Sequence, residues 1–267
     1  SNATRVTIKS SSYKIPLLYD GEGVLYFRVR GAQTGADGER KVTAWSSDFT
    51  TNGDAGLGQD AYAGHERRLN WLATTAVADE VNRKTVVQYF DGSLRNRQIV
   101  TKDNSNNTTI VAETFYDKQG RPAVQVLPAP TLNSVIKYSP FFNQGLNGAT
   151  GVEYGKDLYD TVQTAADYCA GSAPVMANVS GASQYYSGSN PEKNSGFSRF
   201  IPDAEGYVFS ETKYAQDNTG RIASQSGVGK DFKLGSNHET RYYYGSPDQI
   251  ELDALFGTEV GDASHYQ

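Results

Sequence analysis

Apolar and polar side chains alternate along Val24-Leu25-Tyr26-Phe27-Arg28-Val29-Arg30, placing Leu25, Phe27 and Val29 on one face and Tyr26, Arg28 and Arg30 on the other. That period predicts a strand, with Val42-Thr43-Ala44-Trp45 as its candidate partner across a Gly-rich connection from Gly31 to Gly38. From Ser47 to about Ala63 the chain is polar, rich in glycine and without period, which predicts a loop or linker. Leu69 to Thr75 predicts a short strand. Beyond it one grammar repeats. Lys84 to Phe90 leads into the turn Asp91-Gly92-Ser93-Leu94, and Arg95 to Thr101 returns. Thr109 to Tyr116 leads into Asp117-Lys118-Gln119-Gly120, and Arg121 to Leu127 returns. A third copy runs from Phe209 to Tyr214, through Asp217-Asn218-Thr219-Gly220, and out along Arg221 to Gln225. A degenerate fourth, Tyr19-Asp20-Gly21-Glu22-Gly23, lacks the arginine.

The order Tyr-Asp-x-x-Gly-Arg has a physical reason in a hairpin. An aspartate at the first turn position accepts hydrogen bonds from amides that the turn leaves unpaired. A glycine at the fourth takes a positive φ without steric cost, and the arginine opens the return strand within reach of the aspartate. The motif residues are Tyr89, Asp91 and Arg95; Tyr116, Asp117, Gly120 and Arg121; and Tyr214, Asp217, Gly220 and Arg221. All of them serve turns and ladders, and none requires a substrate. The fold class expected is all-β with a minor helical part, built of antiparallel hairpins in a curved, twisted sheet. Mixed helical periodicity over Lys156 to Ala170 marks the place for a helix.

Composition narrows the function classes. The 267 residues carry 18 Tyr and 11 Phe against 2 Trp, with 27 Gly, which agrees with strands and turns. A net charge of -5 argues against a nucleic-acid partner. A single cysteine, Cys169, excludes an internal disulfide framework and any multi-cysteine metal site. No apolar run approaches the length of a membrane helix. Residues 1–3, Ser1-Asn2-Ala3, read as the scar of a removed tag, residues 4–62 as an N-terminal hairpin segment with its linker, and residues 63–267 as the repeat region of a longer chain.

Two resemblances follow. Tyr26-Phe27-Arg28-Val29-Arg30, a polar loop and then Trp45-Ser46 resemble the last two strands of fibronectin type III-like modules; a simple hairpin with an Arg-bearing face fits equally. Tyr116-Asp117-Lys118-Gln119-Gly120-Arg121 resembles the repeat of the Rhs/YD-repeat proteins, large bacterial secreted or surface proteins. Tyr89 to Gln98, Val126 to Pro130, Gly181 to Ser187, Ile201 to Tyr207 and the stretch from Asp217 to Gly245 extend that resemblance to the N-terminal region of a long Rhs-like branch. It implies a scaffold whose hairpins wind into a hollow β-sheet shell, a secreted or cell-surface location, and a toxin-associated parent protein. The partners implied are neighbouring repeats of the same parent chain. The repeats here are irregularly spaced, and the chain carries no evident self-cleavage core or toxin domain.

Residues suited to other chemistry are few. There is no G-x-S-x-G elbow, and His65, His238 and His265 sit in polar, turn-like stretches without ligand spacing. Gly227-Val228-Gly229-Lys230 resembles the end of a P-loop, but the first glycine is missing and Asp231 stands where Ser or Thr belongs. Asp103-Asn104-Ser105-Asn106-Asn107 offers oxygens without the glycine and distal glutamate of an EF-hand loop. Asp157 with Asp160, and Asp203 with Glu205, are carboxylate pairs of unknown separation. No enzyme activity, cofactor or metal is expected. Tyr185-Tyr186 and Tyr242-Tyr243-Tyr244 put rings on both faces of a strand, either as an aromatic surface or as a cross-strand ladder. The function expected is a non-enzymatic structural module of a large exported Rhs/YD-repeat protein, part of the shell or its lead-in. The alternative is a carbohydrate- or cell-surface-binding module that uses these tyrosines.

Overall fold

The computed structural model describes residues 5–13, 23–46, 59–62, 66, 68–77, 83–103, 108–131, 135–146, 151–159, 172–257, 259 and 261–265. The degenerate fourth turn at Tyr19, the tag scar, His65 and Cys169 lie outside them. The chain divides into two units, Ser1–Leu69 and Asn70–Gln267. In the first, β1 (Gly23–Tyr26) pairs antiparallel with β4 (Gln59–Tyr62), and β2 (Ala32–Thr34) with β3 (Arg40–Val42). The stretch expected to be linker thus contains a strand, which the local sequence Gln59-Asp60-Ala61-Tyr62 hid because its partner is remote. The expected strand to Arg30 ends at Tyr26. Beyond it the chain is irregular but stays paired: Thr43 N–H donates to Gly31 O, and Ser46 N–H to Val29 O. Arg28 and Arg30 share a face as their spacing requires, and both guanidiniums lie on Trp45, 4.7 and 4.3 Å from the ring centroid.

The second unit is mostly antiparallel β-sheet with a few short helices, as the hairpin grammar predicts. Nine strands form one sheet: β5 (Asn70–Val77), β6 (Arg83–Phe90), β7 (Asn96–Asp103), β8 (Thr109–Tyr116), β9 (Pro122–Val126), β10 (Ala129–Thr131), β11 (Phe209–Tyr214), β12 (Ile222–Gln225) and β13 (Thr240–Arg241). Their order is β13-β12-β11-β9-β8-β7-β6-β5, with β10 paired to the start of β8. The three repeated motifs form the hairpins β6–β7, β8–β9 and β11–β12.

After β10 the chain leaves the sheet and crosses one face before it returns as β11. In β8 the inward row is Thr109, Val111, Glu113 and Phe115, every second residue. Phe115, Val124, Val126 and Phe209 from the sheet pack against Tyr154, Ala173, Met176, Ala182, Ala204 and Val208 from the covering segment. That segment holds the helices α1 (Lys156–Tyr159) and α2 (Gly181–Tyr185); a third, α3 (Gln249–Phe256), follows the sheet and starts with a capping box between Asp248 and Glu251. Of the helix expected over Lys156 to Ala170, the described part is α1, and residues 160–171 lie outside the described set.

Candidate functional site

The turns hold the first group of candidate residues. In β8–β9, Gly120 N–H donates to Asp117 O (2.9 Å) and Asp117 N–H to Arg121 O (3.0 Å). One carboxylate oxygen of Asp117 accepts the Gln119 and Arg121 amides at 2.9 Å each. The other accepts Arg121 Nε and Nη2, each at 2.7 Å. Gly120 has φ +80°, as its place in the motif requires. Asp91 repeats this arrangement with Ser93 and Arg95, but the residue at positive φ (58°) is Leu94, and Gly92 is not needed for the backbone. Burial alone would raise the pKa of Asp91; hydrogen bonds from Arg95 and Ser93 outweigh it and hold the carboxyl below its ordinary value.

The third turn is wider, closing between Ala215 N–H and Arg221 O. Asp217 there accepts Thr219 Oγ1 (2.6 Å) and Arg221 Nη2 (2.7 Å), and bonds from Thr219 lower its pKa to about 2.

Each hairpin has a bulge beside its turn. Register shifts between Tyr89 and Phe90, between Phe115 and Tyr116, and between Lys213 and Tyr214. Phe90, Tyr116 and Tyr214 are therefore equivalent, opposite Asn96, Pro122 and Ile222, each the residue after the arginine. This corrects the place of Tyr89 in the motif: it points to the covered face, 1% exposed, with its ring against Tyr138.

A relay joins successive hairpins. Arg95 lies 4.9 Å from the Tyr116 ring, Arg121 4.1 Å from that of Tyr214, and Arg221 5.0 Å from that of Tyr244. Extending the registers of β7–β8, β9–β11 and β12–β13 sets each arginine opposite its tyrosine. The Tyr116 hydroxyl donates to Asn96 O (2.8 Å) and the Tyr214 hydroxyl to Pro122 O (2.9 Å). An aspartate thus fixes the arginine of its own hairpin, and that arginine carries the ring of the next. Burial, with Asp91 near Tyr116 and Asp117 near Tyr214, raises both phenol pKa values.

Of the five tyrosines expected to form an aromatic surface, Tyr244 is the last ring of the relay. Tyr185 and Tyr186 are not on a strand. Tyr185 ends α2, Tyr186 caps it, their rings meet edge to face at 5.0 Å, and the Tyr186 hydroxyl donates to Pro128 O. Ala182 and Ser183 face inward there, and that burial decides for a helix turn. β13 ends at Arg241, so Tyr242 and Tyr243 follow the strand; Tyr243 is 86% exposed.

Two buried glutamates, Glu113 and Glu211, were not among the sequence candidates. Both stand three residues before a relay tyrosine in the shared spelling Glu-Thr-x-Tyr, and that repetition was the available signal. Glu113 accepts Gln98 Nε2 at 2.8 Å and Asn143 Nδ2 at 2.6 Å, with Arg97 Nη1 at 3.4 Å. Arg97 is the extra residue of its bulge, which turns it inward beside Gln98, 3.8 Å over the Phe115 ring and bonded to Tyr154 O. Burial raises the pKa of Glu113, against the pull of Arg97, Asn143 and Gln98. Glu211 accepts the Ala173 amide at 2.9 Å, and burial pushes its carboxyl up to about 7. Each glutamate therefore ties a part of the covering segment to the sheet.

Buried carboxylates of raised pKa invite an acid–base reading, which also needs a cleft. A cleft of about 460 Å³ is lined by residues including Lys213, Ser224, Glu239, Arg241 and Tyr243, and neither buried glutamate lines it. Among the described residues no group of three or more His, Cys, Asp or Glu is placed to hold a metal ion. Nor is any described helix long and apolar enough to cross a membrane.

Residues 67–165, which include the first two hairpins, match a family described as a domain of unknown function, DUF6443. No curated protein and no solved structure matches the chain.

Proposed function

We propose that this protein is a non-enzymatic scaffold module of a large exported Rhs/YD-repeat protein, forming part of a β-sheet shell or its lead-in. The observation that carries the reading is the relay. Motif aspartates, arginines and tyrosines are spent on one another, hairpin to hairpin, and the two buried glutamates on the layer above. The mechanism is mechanical: each added hairpin is clamped to the previous one by its tyrosine, so the sheet grows with a fixed register and strand edges are buried one after another. Secretion or surface display comes with this reading.

A double-mutant cycle on Arg121 and Tyr214, run beside a glycan array with the labelled chain, tests it. The expected result is a favourable coupling energy of about 0.5–1 kcal/mol between the two residues and no specific glycan bound. Independent effects of the two substitutions on stability, or a specific glycan whose binding depends on Arg121 or Tyr214 while the fold stays intact, would overturn it.

A further inference from the structure

Glu113 and Glu211 stand at equivalent positions, three residues before a relay tyrosine, and each accepts a donor from the covering segment. Their surroundings differ. Both oxygens of Glu113 are bonded, to Gln98 Nε2 and Asn143 Nδ2, and Arg97 Nη1 lies 3.4 Å away. Ionised Glu113 is therefore met by two hydrogen bonds and a cation. Glu211 is 2% exposed; its Oε2 accepts the Ala173 amide, while its Oε1 is buried with no hydrogen-bond partner. Few groups around it can answer a charge. On β9 it faces Val124, and just past β12 the Ser226 hydroxyl accepts the Glu211 amide. The covering segment brings Tyr154, fully buried, whose hydroxyl donates to Pro174 O, with Tyr159 and Tyr207 near its phenol. Among the described residues the one cation acting on Glu211 is Lys213, two residues further along β11.

We propose that Glu211 is a proton-operated latch on the covering segment, closed while its carboxyl is protonated and opened by ionisation, which frees Ala173 from the sheet. The geometry makes the two states unequal. Protonated, the carboxyl leaves no charge in the interior, and Oε2 still accepts the Ala173 amide. Ionised, it buries a charge with a single amide donor, and opening the contact lets water reach both oxygens. The opening is bounded downstream, where Met176 N–H is bonded to Gly206 O and Ala177 N–H to Gln144 O. Burial pushes the Glu211 carboxyl up to about 7, so the latch is closed in acid and opens as pH rises through 7. The inference goes beyond the scaffold reading and does not depend on it.

Amide hydrogen exchange of the full chain, followed residue by residue by NMR and corrected for the intrinsic rate, tests the latch. With a carboxyl pKa of about 7 when closed and 4.5 when open, protection of the Ala173 amide is expected to fall about tenfold between pH 6 and pH 8. Low urea leaves that protection unchanged, because so small an opening exposes little surface. The amides of β7 and β8, which open only with the whole sheet, lose protection in the same urea. Glu211→Gln keeps an acceptor for the Ala173 amide and cannot ionise, so it abolishes the pH dependence. The parent chain alone can overturn the inference. Constant protection of Ala173 from pH 6 to pH 8 does so, and so does protection that falls with urea in step with β7 and β8. A fall with pH that persists in Glu211→Gln overturns it too.

Discussion

Leu94 sits where the other two hairpins place Gly120 and Gly220, with φ 58° against their 80° and 76°. A left-handed conformation costs an L-residue about 1–2 kcal/mol. Glycine avoids that penalty but loses more backbone freedom on folding, about 0.5–1 kcal/mol. Leu94 is 71% exposed, so its side chain contributes little burial that substitution could forfeit. Leu94→Gly is therefore expected to stabilise the sheet unit by about 0.5–1 kcal/mol, which for a unit of this size raises the midpoint of thermal unfolding by about 1–4 °C. Leu94→Ala serves as the control, because alanine keeps the Cβ and the strain; its midpoint should stay near that of the parent.

The mirror experiment is Gly120→Ala. It introduces the same penalty, and its new Cβ would stand 3.2 Å from Nη1 of Arg95, pressing on the arginine that carries Tyr116. Gly220→Ala meets no atom within 4 Å and should cost less. Urea unfolding followed by circular dichroism gives all four values. A lower midpoint for Leu94→Gly, or an equal gain from Leu94→Ala, would refute the backbone argument.

Three further predictions use the same measurements. Asp117→Ala should cost about 2 kcal/mol or more, since the side chain is buried and removal strands charge-assisted donors, whereas Asp217→Ala on the exposed third turn should change the urea midpoint far less. Tyr214→Phe should lose about 1 kcal/mol with the hydroxyl bond to Pro122 O, and Tyr214→Leu a further ~0.5–1 kcal/mol with the face that Arg121 covers. Glu211 has a folded pKa near 7 against 4.5 for an unperturbed carboxyl, so its contribution is fully present below about pH 4.5 and is lost as pH rises through 7. Unfolding at pH 5 and pH 8 should show that fall, and Glu211→Gln should flatten it.

The hairpins were legible because their signals are local: alternation over six to eight residues, then an aspartate and an arginine around a turn. β4 was not, because nothing within Gln59-Asp60-Ala61-Tyr62 announces a partner as distant as Gly23-Val24-Leu25-Tyr26. The tyrosine pair at 185–186 misled for the opposite reason. Adjacent aromatics suit a strand locally, but the burial of Ala182 and Ser183 within the covering segment decides for helix, and only tertiary packing supplies it. The turn chemistry of Asp117 and Arg121 was legible in full. The arginine's second role was not: Tyr214 is its neighbour across a strand pair that closes only after the covering segment has left and returned. Phe90, and not Tyr89, holds the motif position: it stands directly before Asp91 as Tyr116 stands before Asp117, and the bulge shared by the two hairpins sets both opposite the residue after the arginine.

The relay also has a direction. Each arginine is held by the aspartate of its own turn and acts on a tyrosine later in the chain, Arg95 and Arg121 on the following hairpin and Arg221 on Tyr244 beyond β13. At the β5 end the two equivalent positions hold Asn70 and Phe90, which face each other in register. Asparagine has no guanidinium to lay on a ring, and phenylalanine has no hydroxyl to return to a carbonyl. The arginine–tyrosine clamp of the later pairs is thus missing at the first one, where the ladder is joined by a hydrogen bond between the Thr75 and Thr85 hydroxyls, 3.1 Å apart.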